Sequence, residues 1–315
     1  MEHYVTLFDG LFLPQGLALH QSMQRHSGDY TLWILCMDDE AHHVLSVLQL
    51  PNVRLLRLSE HETPELLAVK SSRTKGEYCW TLTPFSIGFV LGLAPEARRV
   101  TYLDADTWFL KNPSRLFLDL ERAGKSVLIT DHGYAPEHDQ SATSGQYCVQ
   151  FMVFSRGEGE TVLQWWQSRC LEWCYNRAED GKFGDQKYLD DWPDRFAQQV
   201  HELSNKEWTL APWNATRFPH GGGVLWHFHG LRLKAVSQQQ VRFDMGSYPL
   251  PKTTVNHVYK PYVDDLGSAI AAMRNVGGEA KVQAVGGYSL LRRVLGALRF
   301  ESWRLQRHAN IFFQF

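Results

Sequence analysis

Short apolar runs alternate with segments of helical periodicity through the first half of the chain, and that order predicts the fold. Tyr4 to Phe8 reads as a buried strand that closes at Asp9. Leu17 to Met23 keeps helical spacing and ends near His26. Tyr30 to Met37 is a second strand. The acids that follow, Asp38, Asp39 and Glu40, suit a helix N-terminus, where the backbone dipole favours negative charge, and Ala41 to Leu50 continues as that helix. Val53 to Leu58 is a third strand. Thr83-Pro84 has the form of a cap followed by proline at the first helical position, opening a helix over Phe85 to Leu93. A strand ending at Leu103 and another over Ser126 to Thr130 complete this half. Alternating β and α units predict an α/β fold with a mostly parallel sheet and helices on both faces. Ligands of such sheets sit beyond the carboxyl ends of the strands, so Asp9, Asp39, Asp104 and Asp106, each at a predicted strand end, can share one edge.

The second half is less regular. Tyr147 to Phe154 is a strand of mixed polarity, and Val162 to Tyr175 is an amphipathic helix with Val162, Trp166, Cys170, Trp173 and Cys174 on one face. Val224 to His229 is a late strand, Pro249 to Pro261 reads as loop, and Asp264 to Arg274 as helix. No internal repeat or low-complexity segment interrupts the pattern.

Composition narrows the functional classes. The 315 residues suit one large domain or one domain with an appendage, and 44% hydrophobic content is enough for a sizeable core. Eleven Trp and twelve Tyr are many for this length. Aromatic-rich clefts bind sugar rings, although most of these rings are expected in the core. A net charge of −2 with histidine neutral gives no global field that would draw nucleic acid. No uninterrupted apolar run reaches about 18 residues, so no membrane span is expected. The opening Met1-Glu2-His3-Tyr4 lacks the basic-then-apolar pattern of a signal peptide. Five cysteines carry no metal-finger spacing, and Cys170 and Cys174 read as a buried thiol pair on a helix rather than a zinc site. Together these features predict a cytoplasmic protein.

The candidate chemistry concentrates at Asp104 and Asp106, two carboxylates separated by one small residue at the end of an apolar run. On an extended backbone residues i and i+2 point to the same side, so the pair can converge on one hard cation while a diphosphate supplies further oxygens. A bare Asp-x-Asp is common, and a loop pair that caps a helix or faces water is the plain alternative.

Context favours the chemical reading. Four segments stand in order over roughly residues 4–235: Tyr4-Val5-Thr6-Leu7-Phe8-Asp9, Tyr102-Leu103-Asp104-Ala105-Asp106, Gly184-Asp185-Gln186 and His227-Phe228-His229-Gly230. On these segments the chain resembles the GT-A fold glycosyltransferases, nearest to the glycogenin and lipopolysaccharide galactosyltransferase family. Gly145 to Arg156 and Trp165 to Trp192 also look like an uncharacterised bacterial branch of nucleotide-diphospho-sugar transferases. The resemblance implies metal-dependent transfer of a sugar from a nucleotide-diphosphate donor, a UDP-sugar, to a saccharide or glycolipid acceptor in cell-envelope biosynthesis, with retention of configuration. It implies Asp104, Asp106 and His227 as ligands of Mn²⁺ or Mg²⁺, the imidazole nitrogen tilting the choice towards Mn²⁺. His229 would serve beside His227 or as an alternative ligand. Asp185 would contact the donor sugar, Gln186 would lie near the anomeric carbon, and Asp9 would accept from a uracil-type imide N–H.

Each residue also has a plainer reading. His227 could be a packed strand histidine, Asp185 a helix cap, Asp9 a turn former, and Asn214 beside Trp213 part of loop packing rather than of an acceptor cleft. The chain departs from the family in two places. Cys148 stands where an Asn is expected, and Leu231-Arg232-Leu233-Lys234-Ala235 replaces a Lys-Pro-Trp whose lysine meets the diphosphate. That contact falls to Lys234 or to Arg232. Arg73 and Lys75 are candidates for a further nucleotide-binding cation.

The expected division is a transferase domain over residues 1–250 and a helical extension over 251–315. The basic, aromatic segment 289–315 suggests peripheral contact with an anionic membrane carrying a lipid-linked acceptor, weighed against a helix packed on the catalytic domain with a solvated arginine face. Two other functions share the sheet. A sugar-phosphate nucleotidyltransferase would show a glycine-rich basic loop after the first strand, whereas Asp9-Gly10-Leu11-Phe12-Leu13-Pro14 contains no Arg or Lys. A non-catalytic nucleotide-sugar-binding protein is the other, because fold alone does not give function.

Overall fold

Strand β1 (Glu2–Phe8) is buried along nearly its whole length, and the rest of the molecule is layered on it. The computed structural model describes residues 1–219, 221–237, 240–281 and 311–314. After β1 come β2 (Tyr30–Cys36), β3 (Val53–Arg57), β4 (Arg99–Leu103), β5 (Thr107–Phe109), β6 (Val127–Asp131), β7 (Tyr147–Ser155), β8 (Val200–Glu202), β9 (Thr209–Leu210), β10 (Leu225–His227), β11 (Arg232–Ser237), β12 (Gln240–Asp244) and β13 (Ile311–Gln314). The central seven-stranded sheet has the order β3-β2-β1-β4-β7-β6-β8. β1 runs parallel to β2 and β4, β2 to β3, and β6 to β8, while β7 runs antiparallel to both β4 and β6. A small sheet, β5-β10-β9, stands at the end of β4, and β11-β12-β13 forms a third. The expected α/β architecture is present, and its mostly parallel sheet is mixed because of β7.

Alternation along the strands divides the core between the two faces of the sheet. Val5 and Leu7 join Leu82, Ile87, Trp166 and Trp192 on one side. Tyr4 and Phe8 join Leu17, Leu19 and Val44 on the other. Helices α1 (Leu13–His26), α2 (Asp39–Leu48), α3 (Pro64–Lys70), α4 (Lys75–Leu93) and α5 (Ser114–Ala123) cover these faces. The acids after β2 cap as expected, with Asp38 accepting from the Ala41 N–H at 3.0 Å and Asp39 and Glu40 in the first turn of α2.

The helix read over Val162 to Tyr175 spans Glu158–Glu172, so Trp173 and Cys174 lie past its end, although Cys170 and Cys174 are both buried. Two other local expectations fail for identifiable reasons. α4 starts at Lys75, not at Pro84, because Thr74 and Glu77 form a reciprocal capping box. The Glu77 N–H reaches the Thr74 hydroxyl oxygen at 3.3 Å and the Thr74 N–H reaches Glu77 at 2.8 Å. Pro84 therefore lies inside a helix, where burial of Tyr78, Leu82, Ile87 and Val90 outweighs the hydrogen bond its ring removes. The segment Pro249 to Pro261, read as loop, is largely helical. Lys252–Thr254 leads through a π turn at Val255–Tyr259 into the helix Lys260–Asn275. Val255, Val258, Tyr259, Tyr262 and Leu266 pack against Trp226 and Phe228, with Phe228 and Tyr262 stacked at 3.5 Å. This apolar pocket decides the conformation over the prolines that bound the segment. The basic segment after residue 288 lies outside the described residues, except for β13, whose backbone pairs with β12. Among the described residues no helix is long and apolar enough to cross a membrane, and all five cysteines are free.

The capping box sets where α4 begins, so Thr74→Ala should lower stability by about 1 kcal/mol. Urea unfolding should show a reduced midpoint with an unchanged slope.

Candidate metal centre and cleft

β4 does not continue extended into the two acids. The Thr107 N–H at 3.1 Å and its hydroxyl at 2.8 Å both donate to the Asp104 carbonyl, closing a turn over Asp104–Asp106. The extended geometry expected from the Asp-x-Asp spacing is thus replaced by a turn that leads into β5. β5 pairs antiparallel with β10, with Thr107 opposite His227. The Phe228 N–H donates to the Asp106 carbonyl at 2.8 Å. These backbone bonds bring the imidazole to the acids. His227 Nε2 lies 3.2 Å from Asp106 Oδ1 and 3.6 Å from Asp104 Oδ2. One ligand atom from each of the three side chains falls within 4.8 Å of the others, and among the described residues this is the sole such group.

The electrostatics of the trio follow from burial and proximity. Burial raises the Asp104 carboxyl above the usual range. Burial presses Asp106 the same way, but the charge of His227 and its hydrogen bond outweigh it, and Asp106 is lowered. At His227 burial opposes the imidazolium, yet Asp106 and then Asp104 hold its proton well above the usual histidine range. The centre of the trio therefore attracts positive charge. Two carboxylates and an imidazole nitrogen are also a donor set suited to Mn²⁺ or Mg²⁺, so the residues present fit such an ion. The ring is held from behind, with Nδ1 2.9 Å from Gln150 Oε1. Tyr102 donates its hydroxyl to Asp104 Oδ1 at 3.0 Å.

The trio opens on a cavity of about 700 Å³ beyond the carboxyl ends of β1 and β4. At one end Asp9 accepts from the Leu11 N–H at 3.0 Å, and Lys75 Nζ lies 2.5 Å from Asp9 Oδ2 and 3.2 Å from Asp38 Oδ2. Asp9 is thus both the turn former and a cavity-lining acceptor. Asp185 follows Gly184, whose φ of +53° and close approach to Trp80 favour glycine. Asp185 is buried, and its Oδ2 has no hydrogen-bond partner among the described residues. Burial, reinforced by Asp104, pushes its carboxyl up to about 7. Gln186 donates its amide to the Ser144 carbonyl at 2.6 Å, which leaves its Oε1 as the uncommitted atom.

The basic candidates separate clearly. Lys234 does not line the cavity; it pairs with Asp244 across the β11–β12 hairpin. Arg232, two residues nearer the start of β11, does line it and stands 5.7 Å over the Phe12 ring. Arg73 is buried on Thr81 and the Leu171 carbonyl, so Lys75 is the cation that reaches the cleft from that segment. Asn214 is loop packing, accepting from the Ala211 N–H at 2.9 Å and donating to the His132 carbonyl at 3.0 Å. Trp213 does line the cavity, 5.3 Å from the His227 ring. His229 lines it too but stands outside the convergent trio, and burial with the charge of His227 lowers it to about 4. Cys148 lines the wall beside His227.

Residues without a prior signal complete the site. Tyr134, Gln140 and Tyr248 form the far wall, where the Gln140 amide donates to the Tyr248 hydroxyl at 2.9 Å. Gln150 had one trace in the sequence: a polar residue in an otherwise apolar strand, at a position that proves fully buried.

No family model matches the chain. It is 30% identical to the uncharacterized protein YfnF of Bacillus subtilis (strain 168) over 297 residues, which is 88% of this chain and 95% of YfnF. The chain belongs to the YfnF family. YfnD of the same bacterium, also uncharacterized, is 26% identical over 84% of this chain and 88% of its own length. Among solved structures, the galactosyltransferase LgtC in complex with donor and acceptor sugar analogs superposes with a TM-score of 0.51 at 11% identity, over 84% of this chain and 95% of LgtC. The bifunctional glycosyltransferase WbbM superposes with a TM-score of 0.53 at 14% identity, over 88% of this chain and 51% of WbbM. This member of the YfnF family has the GT-A fold.

One titration tests the cleft wall. His132 is buried; its Nδ1 lies 3.1 Å from the Gln146 carbonyl, and its ring stacks on Tyr134 at 4.6 Å. Burial lowers it from 6.5 to about 4. The unfolded chain therefore binds this proton first as pH falls. The stability that His132 contributes is full above about pH 6.5 and is lost progressively towards pH 4, by up to about 3 kcal/mol. His132→Phe keeps the ring and removes the titration. Urea midpoints measured across this window should fall less steeply in the variant than in the parent.

Proposed function

We propose that this protein is a metal-dependent glycosyltransferase that moves a sugar from a nucleotide-diphosphate donor, a UDP-sugar, to a saccharide or glycolipid acceptor. The observation that carries the reading is the convergence of Asp104, Asp106 and His227 on the wall of a large cleft in a GT-A fold. A divalent cation held by the trio, Mn²⁺ before Mg²⁺ given the imidazole, would offset the charge that gathers on the diphosphate as it departs.

The remaining side chains suit the same reaction. Asp9 accepts from the imide N–H of the base, with Phe12 and Leu11 beside it on the cavity wall. Arg232 supplies the cation for the diphosphate, a contact that the sequence left to Lys234 or Arg232. Asp185, buried with a free oxygen, accepts from donor-sugar hydroxyls. Gln186 presents its amide oxygen towards the anomeric carbon. An amide is a poor nucleophile, so the residue steadies positive charge on the ring and forms no covalent bond to it. Same-face attack by the acceptor, with the leaving phosphate taking its proton, then gives retention. Trp213, beside His227, and Tyr134 and Tyr248 form an uncharged aromatic wall, the kind of surface on which an acceptor sugar ring packs. LgtC, whose structure holds donor and acceptor sugar analogs, shares this fold.

Thermal melts with nucleotide-sugars should show a rise in Tm with UDP-sugars that requires Mn²⁺, since a ligand bound only by the native state stabilises it. Asp104→Asn and Asp106→Asn should each abolish that rise and reduce Mn²⁺-dependent UDP-sugar hydrolysis on the order of 100-fold or more. Absence of any metal-dependent shift with UDP-, GDP- and CDP-sugars refutes the reading. NMR of the first-formed product should show the donor's anomeric configuration; an inverted product removes the roles given to Asp185 and Gln186.

A further inference from the structure

We infer that Gln150 is a positioning residue: its side-chain carbonyl fixes the tautomer and ring orientation of His227, so that Nε2 faces Asp104 and Asp106 with its lone pair free for a divalent cation. The inference rests on the metal-dependent reading above and extends it to a residue outside the ligand trio.

A neutral imidazole carries one N–H. Nε2 lies 3.2 Å from Asp106 Oδ1 and 3.6 Å from Asp104 Oδ2, so a proton placed on it would point into the space between the two acids, where a cation must bind. Placed on Nδ1, it leaves Nε2 as a ligand, but a buried N–H then needs an acceptor. Gln150 Oε1, 2.9 Å away, is that acceptor. The opposite amide orientation would offer an N–H to Nδ1 and drive the ring proton onto Nε2. An outer partner of this kind raises the basicity of a ligating histidine as well as aiming it.

Two further observations set Gln150 apart from a merely packed side chain. It is fully buried, yet its amide nitrogen has no partner among the described residues, so the side chain's hydrogen bond to His227 is the one that orients it. An unsatisfied buried donor costs about 1–3 kcal/mol, and an apolar side chain in this strand would avoid that cost. The same residue's main-chain carbonyl accepts the Asp104 N–H at 3.3 Å, just past the Leu103–Phe151 pair that ends the β4–β7 ladder. Gln150 thus holds His227 by its side chain and Asp104 by its backbone, and couples the two halves of the trio.

The test measures Mn²⁺ affinity directly, by the EPR signal of free Mn²⁺ in titrations of the full chain at neutral pH. Thermal melts without metal check that each variant is folded. Gln150→Met keeps the length and volume and removes the acceptor; it should weaken Mn²⁺ binding 10- to 100-fold, with kcat recovering at saturating Mn²⁺. Gln150→Glu restores an acceptor and should bind within about threefold of the parent or more tightly. Gln150→Met binding within about threefold of the parent overturns the inference, as does equal weakening in Gln150→Glu. If Gln150→Met does not melt cooperatively, Gln150→Asn, which withdraws the carbonyl by one methylene, replaces it under the same criteria. A parent chain that binds Mn²⁺ no better than Asp104→Asn defeats the metal-dependent reading itself, an outcome distinct from the failure of Gln150 alone.

Discussion

The site depends on one short backbone ladder, the antiparallel pairing of β5 with β10. β5 follows directly from the turn that carries both acids, and β10 ends in His227. The register opposite Thr107 places the ring beside the turn, and the bond from the Phe228 N–H to the Asp106 carbonyl locks it there. A one-residue slip would turn the imidazole to the other face of the ribbon. The packing beneath guards against it: Trp226 and Phe228, which flank His227 in sequence, are fully buried against Tyr259 and Tyr262. The apolar residues on either side of the histidine thus supply the energy that aims it.

Charge is distributed unevenly along the cleft. Lys75 bridges Asp9 and Asp38 at one end, the trio stands in the middle, and Arg232 lies on the wall near Phe12. Past the trio the lining is neutral and aromatic, with His132 and His229 held uncharged by burial. A carboxylate pair this close favours positive charge between its members, the same interaction that holds the His227 proton well above the usual histidine range.

How much was legible in the sequence differs from residue to residue. Asp104 and Asp106 announced themselves because a short spacing at a strand end is a local property. His227 was visible only through a resemblance, since nothing in the run Leu225 to His229 distinguishes a ligand from a core histidine. The choice between Arg232 and Lys234 was undecidable, because both project from one face of one strand; the hairpin partner Asp244 takes the second and leaves the first to the cleft. Pro84 misled because a proline after a threonine is a sound local cue, overruled here by a capping box upstream and by burial of the surrounding helix. Tyr248 had no pattern to betray it, and Gln150 only its polarity within a largely apolar strand, since what each touches lies far away along the chain.

The sequence by itself determined the elements: apolar runs long enough for buried strands, helical periodicities between them, acids where strands end, and hence an α/β sheet with its chemistry at the carboxyl edge. Periodicity and capping act over a few residues, and a linear chain records them directly. The tertiary structure alone decided which side chains meet: His227 with Asp104 and Asp106, Gln150 behind the ring, Lys75 on Asp9, Arg232 rather than Lys234 at the cleft. Those meetings are set by strand register and by apolar packing between segments distant in the chain, and neither quantity is a property of any one segment.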